Sequence, residues 1–258
     1  MTNSGTQLDL LSASRLIIDF GNTFTKTAVF RENKLLELLT GPIISVGELE
    51  SLKTKYNPQH AIIASVIDIP EGVINYLHKT FHLIQLDQHT PIPISNRYKT
   101  PDTLGSDRLA MVVAANSLFP GKNCLVIGAG TCITYDFIDH SATYYGGAIS
   151  PGISLRFKAL HNFTGKLPFV SFNENAENAE ITGTTTEQSI LSGVLIGSTT
   201  EIDGTIDKYR ALYQGLQVML TGGDMNYFKK TLKNRIFAAS NLVLTGLNVI
   251  LDFNVKKQ

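Results

Sequence analysis

With 258 residues, 43% of them hydrophobic and 17% charged, the chain has enough apolar material for one large or two modest packed domains. Lys plus Arg and Asp plus Glu both number 22, so no global field favours nucleic acid or an anionic membrane as a partner. No apolar run approaches the roughly 18 to 20 residues that a spanning helix requires.

Met1 to Ser14 is polar apart from a short Leu-containing patch, with no cationic segment ahead of an apolar stretch. That argues against a secretory signal, and the segment reads as a flexible N-terminal tail. Leu16 to Ile18 is a short buried-strand signal running into the polar turn Asp19-Phe20-Gly21-Asn22-Thr23. Phe24 to Phe30 alternates, Arg31-Glu32-Asn33 turns, and Lys34 to Leu39 returns, which predicts a three-strand antiparallel meander. Ala61 to Val66 reads as another buried strand, and Glu71 to Phe81 carries helical apolar spacing. His78 and His82 have helical i, i+4 spacing but no third candidate ligand nearby, so no zinc site is expected. Pro91 to Thr103 reads as a loop and Leu104 to Leu118 as a helix.

A second copy of the meander begins at Cys124. Leu125 to Ile127 lead into Gly128-Ala129-Gly130-Thr131, then Cys132 to Ile138, a turn at Asp139-His140-Ser141, and Ala142 to Ala148. Superposing Gly21 on Gly130 places Asp19 opposite Gly128 and Asn22 opposite Thr131. A repeat of this size predicts two similar lobes, 15–118 and 119–258, rather than a solenoid. Leu155 to Phe163 and Glu187 to Tyr213 read as helices, and Val218 to Leu220 as a strand ahead of Thr221-Gly222-Gly223-Asp224. The expected class is α/β, two lobes with a cleft between them. Cys124 and Cys132 sit in apolar strand-like surroundings, as the small buried thiols of a reducing compartment do.

The two glycine turns admit close approach of oxygen atoms to backbone N–H groups. Occurring at equivalent points of a repeat, they suggest two loops that face one phosphate chain; a tight hairpin is the structural alternative for each. Asp19 ends a buried strand, where a carboxylate needs a cation or donors. Hydrated Mg²⁺ on a nucleotide is one partner, an Asx cap on its own turn the other. Lys26 either reaches a phosphate or lies on the solvent face of its strand. Asp107, beside Arg108 at a loop-to-helix junction, reads either as acceptor of a substrate hydroxyl proton or as a cap beside a surface ion pair. Gly222-Gly223 suits a flat ring lying on backbone, and Asp136 and Asp139 are accounted for by a strand end and a turn.

Taken in order, these segments resemble the type III pantothenate kinases, a branch of the superfamily that holds actin, sugar kinases and the Hsp70 ATPase domains. The elements are Asp19-Phe20-Gly21-Asn22-Thr23 with Lys26; Tyr98 through Arg108; Gly130-Thr131; Gly146 through Gly152; Thr164 through Pro168; and Thr221 through Asp224. The resemblance implies two duplicated actin-like (ribonuclease H-like) lobes with an ATP cleft. It implies transfer of the ATP γ-phosphoryl group to the primary hydroxyl of pantothenate, giving 4'-phosphopantothenate, the first step of coenzyme A synthesis. Asp19, Phe20, Gly21, Asn22, Thr23, Phe24, Thr25 and Lys26 match the first ATP-binding loop, and Thr131 a residue of the second. Gly105, Ser106, Asp107 and Arg108 match the pantothenate motif, with Asp107 the proton acceptor. Tyr98 and Thr186 match further substrate contacts, Thr186 across the interface of a homodimer. The resemblance also implies Mg²⁺, a monovalent cation (K⁺ or NH₄⁺) and a cytoplasmic enzyme. At one position the chain departs from the pattern: the family's cation-binding aspartate two residues before Gly-Thr is here Gly128. Competing readings are another small-alcohol kinase and a non-catalytic transcriptional accessory protein on the same fold.

Overall fold

Alternating burial builds the first sheet. The computed structural model describes residues 13–172 and 179–257; most of the expected N-terminal tail lies outside them. Leu16, Ile18 and Phe20 point to one face of strand β1 (Ser14–Phe20), and Ile17 to the other, all fully buried. Each such side chain contributes roughly 1.5–3 kcal/mol of hydrophobic stabilisation. β1 pairs antiparallel with β2 (Thr25–Arg31), which pairs antiparallel with β3 (Lys34–Gly41). On its other side β1 pairs parallel with β4 (His60–Ser65), and β4 with β5 (His82–Gln85). The order is β3-β2-β1-β4-β5.

Helices α1 (Val46–Tyr56) and α2 (Glu71–Thr80) cover one face through Leu49, Leu52, Val73 and Leu77. α1 starts in a capping box, in which Ser45 and Glu48 each satisfy the other's backbone N–H. The opposite face packs Ile17, Ala28, Phe30 and Ile62 against α3 (Ser106–Leu118) and α7 (Leu242–Val255). Gly246 of α7 lies so close to α3 that a Cβ there would fall 1.8 Å from the Ala110 carbonyl oxygen.

The described residues fall into two compact units, those within 1–117 together with 242–258, and those within 118–241. Residues 242–258, expected in the second lobe, thus group with the first, because α7 buries Leu244, Leu247, Ile250 and Leu251 in the first unit's core. His78 and His82 do not share a helix: α2 stops at Phe81, whose backbone is extended, and His82 opens β5, its ring 5.1 Å from that of His60.

In the second unit β6 (Cys124–Ala129), β7 (Cys132–Ile138) and β8 (Thr143–Pro151) form the repeated meander. β9 (Gln217–Thr221) and then β10 (Phe237–Ala238) add parallel to β6. Within the unit the order is β10-β9-β6-β7-β8, the same topology as the first sheet. Leu125, Ile127, Ile133, Tyr135 and Phe137 pack with α4 (Ile153–Asn162), α5 (Thr186–Leu212) and α6 (Met225–Thr231). Cys124 is buried and Cys132 half-buried, both as free thiols; burial pushes the Cys124 thiol up to about 11.

Candidate active site

In the first unit the turn after β1 is closed by the Gly21 N–H donating to the Phe24 carbonyl at 3.3 Å. A Cβ at position 21 would lie 3.0 Å from that oxygen, so the tight turn favours glycine. Asn22, Thr23 and Phe24 are exposed at its tip. Phe20 is fully buried in the core, and Thr25 is buried with its hydroxyl donating to the Pro42 carbonyl at 3.2 Å. Both therefore offer a ligand their backbone rather than their side chains.

Asp19 pairs across the strands with Lys26. Its carboxyl is pushed up to about 6, by burial first and then by the charge of Asp107, with Lys26 opposing. Two acidic groups from different elements, the C-terminal end of β1 and the first turn of α3, thus interact in one unit.

Asp107 Oδ1 accepts the backbone N–H of Arg108 at 2.8 Å. Gly105 begins the helix, its carbonyl accepting the Leu109 N–H, and a Cβ there would fall 2.5 Å from the same Asp107 oxygen. Any side chain at 105 would displace the carboxylate. Arg108 is buried, its guanidinium 5.6 Å from the centre of the Tyr98 ring. Tyr98 is half-buried, and its N–H donates to Asn96 Oδ1. Gly105 and Ser106 line a cavity of about 580 Å³ together with Ser65, Leu86, Asp87 and Asn96. These last four escape sequence reading because they come from strand ends and loops far apart in the chain.

In the second unit Gly130 and exposed Thr131 form the turn between β6 and β7. The Thr131 carbonyl accepts the Gly152 N–H at 3.0 Å, and a Cβ on Gly152 would meet Gly130 O at 2.0 Å. Gly222, at φ +105°, packs its Cα on the Ala129 carbonyl, which accepts the Asp224 N–H at 3.0 Å. The Gly130-Thr131, Gly152 and Gly222-Gly223 turns are therefore stitched into one backbone surface. Gly128 is in register with Thr134 and Thr221, both neutral. The pairing also limits the repeat. Asp19 faces Lys26 while Gly128 faces Thr134, so the second turn is one residue shorter than the first.

Thr186 is exposed as the first residue of α5, behind the cap Thr185, which accepts the Gln188 N–H. Asp139 closes its turn, accepting N–H groups of Ser141 and Thr143. Asp136 is not at a strand end: it lies fully buried within β7 and accepts the Tyr144 hydroxyl at 2.7 Å.

The family model described as type III pantothenate kinase matches residues 15–208. A type III pantothenate kinase of Bacteroides fragilis is 48% identical over 240 residues, covering 93% of this chain and 98% of that protein. One from Christiangramia forsetii is 46% identical over 241 residues, with the same coverage. Among solved structures, a Campylobacter jejuni protein assigned to the Baf family of transcriptional activators superposes with a TM-score of 0.59 at 20% identity, covering 93% of this chain and 99% of its own. The activator of 2-hydroxyisocaproyl-CoA dehydratase from Clostridium difficile, with ADPNP bound, gives 0.53 at 11% identity, covering 95% and 96%. At such identities these two structures speak for the fold alone.

Proposed function

Because the chain belongs to the type III pantothenate kinase family, and so uses ATP to phosphorylate pantothenate in coenzyme A biosynthesis, we propose that Asp107 is the group that accepts the proton of the pantothenate hydroxyl. The observation that carries this reading is the place of Asp107 in the first turn of α3, directly after Gly105 and Ser106 of the cavity wall, with its carboxylate held by the Arg108 N–H. As the hydroxyl oxygen bonds to the γ-phosphorus, the bond to the β,γ-bridging oxygen breaks. ADP leaves with that electron pair, and the hydroxyl proton passes to the Asp107 carboxylate. We assign the acceptor to Gly105 and Ser106, which line the cavity beside the helix start, with Tyr98 and Arg108, outside that lining, as further contacts on the strength of the family motif; Gly21 to Lys26 and Thr131 are each assigned to phosphate. The regulator reading finds no support in the family match.

Asp19 fits a role in holding Mg²⁺. A carboxyl held up first by burial and then by a second carboxylate is the hard, under-compensated oxygen donor that Mg²⁺ relieves, and this ion uses one or two carboxylates while keeping its waters. Bound there it would neutralise phosphate charge. The family's monovalent-cation site does not fit this chain, since Gly128 and its register partners Thr134 and Thr221 bring no carboxylate. The rate is therefore expected to differ by less than about twofold between KCl or NH₄Cl and choline chloride at equal ionic strength. Gly128→Asp is expected to create a response. A steep K⁺ or NH₄⁺ requirement in the parent protein would refute this.

We place the enzyme in the cytoplasm as a homodimer, with Thr186 supplied to the neighbouring subunit's acceptor. No helix among the described residues is long and apolar enough to cross a membrane. Thr186→Ala is expected to raise the KM for pantothenate by roughly two- to twelvefold, the worth of one hydrogen bond, with the KM for ATP unmoved. Mixing Thr186→Ala with Asp107→Asn protein at sub-saturating pantothenate should recover activity through hybrid sites. No recovery after demonstrated subunit exchange would count against a shared site.

A further inference from the structure

The second unit contains a polar cluster that the chemistry above does not use. Glu201, in the middle of α5, has both carboxylate oxygens engaged. Oε1 accepts the Tyr135 hydroxyl of β7 at 2.8 Å. Oε2 accepts the Ser150 hydroxyl of β8 at 3.1 Å and forms an ion pair with Arg156 of α4. Arg156 continues the chain of contacts, donating from Nε to the Pro151 carbonyl at 2.7 Å and from Nη2 to Ser150 Oγ at 2.9 Å. Burial opposes ionisation of Glu201, but bonds from Arg156, Tyr135 and Ser150 outweigh it and hold the carboxyl below its ordinary range.

What these bonds grip is specific. Ser150 and Pro151 pair in register with Ile133 and Cys132, the residues directly after Thr131. The next residue, Gly152, donates to the Thr131 carbonyl and sits against Gly130 with no room for a Cβ. One carboxylate on a long helix therefore fixes the strand end that clamps the Gly130-Thr131 turn. Only the partly exposed Arg156–Glu201 pair is ionic, and a surface pair alone contributes little. Here the pair shares its partners with two hydroxyls and a carbonyl, which orders all of them together.

We propose that Glu201, acting through Ser150, Arg156 and Gly152, is a positioning residue for the Gly130-Thr131 turn, and so sets the affinity for the ATP phosphates without touching them. The inference rests on the reading of that turn as a phosphate loop. Glu201→Gln keeps the shape and removes the charge. It is expected to raise the KM for ATP about five- to twentyfold, with the KM for pantothenate and kcat at saturation within about threefold. A helix brace without this role would lower thermal stability and leave the two KM values in their parental ratio. Ser150→Ala removes a single bond and should raise the KM for ATP by a smaller factor in the same direction; it serves as the reading if Glu201→Gln does not fold. Thr131→Ala separates the two failures. If Thr131→Ala raises the KM for ATP and neither Glu201→Gln nor Ser150→Ala does, the positioning role is wrong and the phosphate loop stands. If Thr131→Ala leaves the KM for ATP unchanged, the loop reading fails and the positioning role with it.

Discussion

Asp107→Asn is expected to bind ATP within about twofold of the parent and to turn over roughly 10² to 10⁴ times more slowly, the usual worth of a general base. Asparagine is nearly isosteric, and its Oδ1 can still accept the Arg108 N–H that holds the carboxylate at 2.8 Å. Gly105 still leaves room for that oxygen. What is lost is the capacity to take up a proton. Nucleotide binding, assigned to Asp19 through Lys26 and to Thr131, loses no direct contact, and only the charge of Asp107 beside Asp19 is removed. Calorimetric titration of ATP gives the first quantity and a coupled ADP-release assay at saturating pantothenate the second. A variant that turns over at the parental rate removes Asp107 from the role of proton acceptor.

The sheets were legible because their strands repeat. Ile17 and Ile18 alternate faces as period two demands, and the order strand, glycine turn, strand, turn, strand recurs at Cys124. Both sheets carry the same β-order, so the duplication read from spacing is present in the backbone pairing. The repeat is inexact at the turn itself, where one residue fewer separates β6 from β7, so Thr134 stands in the place of Lys26. The helices were harder. α1 buries only Leu49 and Leu52 and has a weak apolar stripe, and its one clear signal is the Ser45-Glu48 capping box. α7 errs the other way: Leu242, Leu244, Leu247, Ile250 and Leu251 leave little polar face, so no amphipathic period marks it or tells which core it joins. In the candidate site, residues adjacent in sequence such as Gly105 to Arg108 were readable as a group. The coupling of Asp19 to Asp107 was not, because 88 positions separate them and only the packing of α3 against the first sheet brings them within electrostatic reach. Glu201 was invisible for the same reason: its partners Tyr135, Ser150 and Arg156 come from three other elements.

Asp19→Asn is expected to destroy activity and to stabilise the nucleotide-free, Mg²⁺-free protein, and the pH at which the stabilisation sets in identifies its cause. The Asp19 carboxyl goes from an ordinary 3.8 to about 6 on folding, through burial and then the Asp107 charge, with Lys26 only partly offsetting them. The folded state therefore holds this proton more tightly than the unfolded state does. Below about pH 4 both states are protonated and the group neither helps nor harms. As pH rises from about 4 to 6 the unfolded chain ionises first, and stability falls; above about 6 the full loss has accrued, on the order of 2–3 kcal/mol. Asparagine cannot ionise, so Asp19→Asn should match the parent near pH 4 and melt about 5–10 °C higher at pH 8, given the few degrees per kcal/mol of a chain this size. Because Asp19 is assigned to hold Mg²⁺ on the phosphates, kcat/KM for ATP should fall by roughly 10² or more at the same pH. Melting temperatures in EDTA from pH 4 to 8, alongside initial rates, test both halves. A variant equally or less stable than the parent at pH 8 would show that Asp19 is compensated in the folded protein. A stabilised variant with parental activity would leave the electrostatics standing and take Asp19 out of the catalytic site.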